Sequence, residues 1–136
     1  MRRQLRRASR LLAGRATLTA GCYRDALRRV GRGDVVYLDP PYQGVSTGRD
    51  GRYLGRFAPD DFAAALEDLV RRDVVFAVSY DGRCGERTYG VDLPGSLGLA
   101  RIELDAGRSA SATLHGRAAR TVESLYLSPA LVRAAG

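Results

Sequence analysis

Apolar positions along the chain are sparse at first and then gather into short runs, and their spacing predicts the elements. In Met1–Leu12 only Leu5, Leu11 and Leu12 stand out among arginines, which predicts a basic helix with Gly14 as its stop. Ala16–Thr19 reads as a short strand. Tyr23, Ala26, Leu27 and Val30 share one helical face and predict a short helix over Tyr23–Val30. Gly31-Arg32-Gly33-Asp34 is a turn. The unbroken apolar run Val35–Leu38 predicts a strand covered on both faces.

Gln43–Ala58 follows as a loop, with glycines at positions 44, 48, 51 and 55. Pro59 then opens a helix to about Arg71: proline suits the first helical position, and Asp60 and Asp61 complement the positive helix end. Phe62, Leu66, Leu69 and Val70 form its apolar face. Val74–Ser79 predicts a second buried strand. Residues 82–98 read as a glycine-rich connection with a short helix near Glu86–Tyr89, and Arg101–Asp105 with Val122–Leu127 as a closing antiparallel pair. Strands interleaved with helices imply a single α/β domain over 1–136, with a mainly parallel sheet. Ligands of such sheets gather beyond the carboxyl ends of the strands, where Asp39 falls.

Composition narrows the partners. The formal charge is +7, and all 22 positions counted as Lys or Arg are arginine. A planar guanidinium suits phosphate, so the charge favours a polyanion. A chain without Lys, Asn or Trp and rich in Ala, Gly and Arg is also what a GC-rich coding sequence produces. No run reaches the length of a membrane span, and no apolar h-region follows the basic start. Cys22 and Cys84 form neither a disulfide framework nor a metal motif, so the expectation is two free thiols in a reducing cytoplasm and no metal.

The candidate chemistry lies in Asp39-Pro40-Pro41-Tyr42. An acid, two prolines and an aromatic at the end of a strand can grip an exocyclic amine and stack on its ring. With Tyr23-Arg24-Asp25-Ala26-Leu27, Gly33–Leu38, Val78-Ser79-Tyr80-Asp81-Gly82 and Glu123–Leu127, this tetrad resembles the Dam-like (D12 class) adenine-specific DNA methyltransferases over about Arg15 to Leu131. The resemblance implies part of a Rossmann-like, S-adenosylmethionine-dependent methyltransferase sheet, methyl transfer to adenine N6, and DNA as partner. It implies that Asp39 and the Pro40 carbonyl accept the two amine hydrogens, that Pro40 and Pro41 fix the backbone, that Tyr42 stacks on the flipped base, and that Tyr23 and Asp39 face the cofactor.

Several positions stay open between readings. Many family members carry Asp before the Tyr23 position, where this chain has Cys22; Tyr23 is equally a residue of an apolar helix face. Ser79–Gly82 would either shape the base pocket or end a strand in a turn. Arg49, Arg52, Tyr53 and Arg56 (with Phe57) suit a basic lid over DNA or a solvated loop. Arg108, Ser109 and Ser111 give a weak phosphate signal, and His115 has no partner pattern.

The family's glycine-rich Phe-x-Gly-x-Gly segment and target-recognition region are not found before the tetrad. The expectation is therefore the carboxy-terminal part of the enzyme, truncated or completed by a second chain carrying those parts, with weak cofactor binding alone. The alternatives are a non-catalytic DNA-binding remnant and a methyltransferase of another amine, such as cytosine N4 or a protein amide.

Overall fold

The computed structural model describes residues 2–41, 58–84, 87–108 and 120–136. Helix α1 spans Arg2–Leu12, α2 Tyr23–Arg29, α3 Pro59–Arg71 and α4 Pro129–Ala135. The strands are β1 Val35–Leu38, β2 Val75–Cys84, β3 Arg87–Tyr89, β4 Ala100–Arg108 and β5 Arg120–Leu127, with a 3-10 turn at Gly95–Leu97. Among the described residues they form one five-stranded sheet of order β1-β2-β5-β4, with β3 also on β2.

The sheet is not mainly parallel. Only β1 and β2 run together, from Val35 opposite Val75 to Leu38 opposite Val78. β2 pairs antiparallel with β3 and β5, and β4 antiparallel with β5. A parallel neighbour needs a crossover, and β1-α3-β2 supplies the one seen here. The expected closing pair is present, but its strand β5 lies inside the sheet against β2 rather than beyond it.

β2 organises the core. Phe76, Val78 and Tyr80 are buried, as are Phe62, Leu66 and Leu69 of α3 beneath them, with Leu27 and Leu97 at the margins. Arg72 ties α2 to this layer, donating to the carbonyls of Leu27 (3.1 Å) and Val30 at the end of α2. Ser128 ties the chain's last helix to the start of β2. Its hydroxyl accepts from the N–H of Phe76 at 3.0 Å and from that of Leu131 at 3.1 Å, capping α4. Its own N–H donates to the Phe76 carbonyl at 3.0 Å.

β1 is covered on one face only. Val36 and Leu38 pack against the core cluster, whereas Val35 and Tyr37 are 75% and 65% exposed. Among the described residues β1 pairs with β2 alone, so its outer edge carries no ladder. Ala16–Thr19 forms no strand, and Leu18 is exposed. The region read as a connection from residue 82 is instead the end of β2 followed by β3, so Arg87–Tyr89 is strand rather than helix.

Candidate functional site

Asp39 follows the last residue of β1 and is exposed, while Pro40 and Pro41 are half-buried. Its place is set by how β2 shares its edges. Gly82–Cys84 pair with β5 and also with β3, so β3 lies on the edge opposite β5, which is the edge β1 occupies at Val75–Val78. Between these two pairings on β2 lie Ser79, Tyr80 and Asp81. Leu38 lies opposite Val78, so Asp39 follows at the level where this interval begins, and Tyr89 pairs with Gly82 at its far end. Among the described residues Asp39 takes no part in an ion pair.

The floor of the interval is an irregular stretch of β2. The ladder to β5 shifts between Ser79, opposite Leu125, and Gly82, opposite Glu123, which leaves one extra residue on β2. Tyr80 and Asp81 are therefore both buried, although they are neighbours in sequence. Asp81 has φ +55°, in the left-handed region that aspartate tolerates better than most residues. Gly82 is obligatory beside it, since a Cβ there would lie 2.6 Å from the carbonyl oxygen of Val122.

Asp81 is 2% exposed and anchors a polar cluster. The Tyr126 hydroxyl donates to one carboxylate oxygen, and the Arg101 guanidinium approaches the other at 3.4 Å. Arg101 also donates to the Ser124 hydroxyl at 2.9 Å and pairs with Asp92 at 3.1 Å. Burial, and then the hydrogen bond to Asp81, push the Tyr126 phenol well above its ordinary range. Sequence reasoning missed this cluster: Tyr-Asp-Gly reads as a turn. The usable signal was Ser124 and Tyr126 two apart on a strand, hence on one face, with a hydroxyl each.

Tyr23 stands at the start of α2, half-buried, with its ring edge-on to Phe62 at 6.0 Å between centroids. Phe62 in turn meets Tyr80 at 5.7 Å. An aromatic chain thus runs from α2 to the floor beside Asp39, and Tyr23 serves the core on one side. The Arg24 guanidinium lies 5.8 Å over its ring on another. Cys22 is exposed ahead of it, and Asp25 is paired with Arg28 at 2.7 Å.

Structure therefore places Asp39, Pro40 and Pro41 directly after β1, whose last residue Leu38 lies opposite Val78 of β2. Tyr42, Arg49, Arg52, Tyr53, Arg56 and Phe57 lie outside the described residues, as do Ser109, Ser111, His115 and the side chain of Arg108. Among the described residues no His, Cys, Asp or Glu group could hold a metal ion. No helix there is long and apolar enough to cross a membrane.

A family model for the D12 class N6 adenine-specific DNA methyltransferase matches residues 2–94, more than half of the 136-residue chain. Neither the curated proteins nor the solved structures gave a match.

Proposed function

We propose, for a chain that belongs to the D12 class of N6 adenine-specific DNA methyltransferases, that the end of β1 is the amine clamp of an adenine-N6 methyl transfer. The observation that carries this reading is the exposed carboxylate of Asp39, one residue past the end of a strand that runs parallel to β2. The adenine amine is a poor nucleophile because its lone pair is delocalised into the ring. Asp39 and the Pro40 carbonyl each accept one of its N–H bonds, which localises that pair and stabilises the positive charge that develops on nitrogen. Proline at 40 and 41 offers no N–H to compete for that carbonyl and limits the backbone of both positions. Tyr42 stacks on the base, which has left the duplex because its amine cannot be reached inside the stack.

S-adenosylmethionine would supply the electrophilic methyl group. The described residues fit it only in part. Tyr23 offers an aromatic surface, but its ring is engaged by Phe62 and Arg24, and Cys22 stands where a carboxylate would be expected. The amine side of the reaction is what these residues build. A second chain completing the donor side is part of this proposal.

Duplex DNA incubated with the chain and S-adenosylmethionine, alone and mixed with a polypeptide carrying the glycine-rich segment, tests it. The expected product is N6-methyladenine, seen by mass spectrometry and lost in Asp39→Ala. N4-methylcytosine, a product indifferent to Asp39→Ala, or no methylated base in either mixture overturns the reading.

A further inference from the structure

Helix α1 sorts its side chains cleanly. At 3.6 residues per turn, Arg2, Arg3, Arg6, Arg7 and Arg10 fall within an arc of about 140°. Leu5, Ala8, Leu11 and Leu12 fall on the other side. Every residue from Arg2 to Leu12 is exposed, and the helix contains no acidic residue. Arg3, Gln4, Arg6, Arg7 and Arg10 line a shallow, open depression along it.

The arginines of the body are largely neutralised. Arg24 pairs with Asp61, Arg28 with Asp25, Arg71 and Arg72 with Asp68, Arg120 with Asp105, and Arg133 with Asp73. Among the described residues none of the five arginines of α1 takes part in an ion pair. Arg15, Arg29 and Arg32 likewise join no ion pair among the described residues, but α1 gathers five uncompensated arginines on one face, over about 12 Å of its axis.

We infer that the arginine face of α1 is a docking surface for the phosphate backbone of duplex DNA, separate from the base-binding end of β1. The inference rests on the reading of the chain as a DNA methyltransferase for the choice of polyanion. Charge complementarity supplies the rest: a duplex carries one negative charge per about 1.7 Å of axis, and guanidinium forks hydrogen-bond phosphate oxygens without reading sequence. Such contacts fix position and register rather than base identity. A basic helix with leucines opposite could also lie on an anionic bilayer, but only three leucines serve that face, and the family acts on DNA.

Fluorescence anisotropy of the full chain with a labelled 20-base-pair duplex, over a range of salt, tests the inference. Each phosphate contact contributes about 0.9 to the slope of log affinity against log salt. The triple variant R3Q/R6Q/R10Q should lose about 2.7 from that slope, so that raising salt from about 50 to about 200 mM costs it about 40-fold less affinity than it costs the unaltered chain. The variant R28Q/R71Q/R133Q, equal in charge change but taken from paired arginines, should keep most of the slope. Circular dichroism and thermal melting should show the same core in both. An unchanged slope in the first variant, an equal loss in the second, or no duplex binding by the unaltered chain overturns the inference. So does tighter binding to phosphatidylserine vesicles than to duplex. Asp39→Ala should bind DNA normally while making no N6-methyladenine, so failure of the α1 surface and failure of the amine clamp are read separately.

Discussion

The Tyr126 hydroxyl on β5 donates to the buried carboxylate of Asp81 on β2, across the irregularity that sets Tyr80 and Asp81 on the same side of the sheet. The phenol is held protonated in the fold, because its anion would be buried beside another anion. Its folded value is raised above the unfolded one, near 10. Above about pH 10 the unfolded chain therefore binds fewer protons than the folded chain, and stability falls with rising pH. The expected slope is about 1.4 kcal/mol per pH unit from this one group. Urea titrations at a series of alkaline pH values should show it, and Tyr126→Phe should remove it.

Asp39 separates chemistry from stability. Its side chain is exposed and joins no ion pair among the described residues, so Asp39→Ala should change unfolding free energy by no more than about 0.5 kcal/mol. Where methyl transfer can be measured, the same change should lower the rate by about 10²-fold or more, the scale seen when one preorganised group is removed from a developing charge. Chemical denaturation and single-turnover methylation give the two numbers.

Gly82 and Gly95 make a matched pair. A Cβ on Gly82 meets the Val122 carbonyl oxygen at 2.6 Å, whereas one on Gly95 meets nothing within 4 Å. Gly82→Ala should force β2 and β5 apart and cost about 1–3 kcal/mol. Gly95→Ala should be neutral to within about 0.5 kcal/mol. Thermal melting of the two variants decides it.

Ser128→Ala removes a helix cap and a partner of a buried amide together. The lost cap costs about 1 kcal/mol, and the orphaned N–H of Phe76 about 1–3 kcal/mol. Ser128→Thr keeps the oxygen and should recover part of the loss. Hydrogen exchange at the Phe76 amide should accelerate in Ser128→Ala, which distinguishes this cause from a general loosening.

The sequence was most legible where one local signal agreed with burial. Pro59–Arg71 shows its start in a proline and two acids and its covered face in Phe62, Leu66 and Leu69, and the helix has those bounds. Val35–Leu38 was legible as a strand, but its coverage depends on neighbours that no local pattern reports. Ala16–Thr19 has a strand-like composition but pairs with no strand among the described residues, and Leu18 stays exposed, so no burial repays the ordering of an extended segment. Asp81-Gly82 carries turn chemistry, yet β2 runs on to Cys84 because Tyr126 and Arg101 satisfy the acid and the glycine admits β5. In the candidate site, Asp39 and Pro40 were visible as a motif, while the polar cluster of Asp81, Arg101, Ser124 and Tyr126 joins residues far apart in the chain.

The uncovered margin of β1 carries a handling cost. Among the described residues no strand pairs with the outer edge of β1, so its main-chain groups, beside the exposed Val35 and Tyr37, form a template on which an extended peptide can grow a further strand, another copy of the chain included. Lysine in place of Val35 or Tyr37 would charge that margin from the solvent side, leave Val36 and Leu38 in the core, and keep concentrated solutions clear to light scattering.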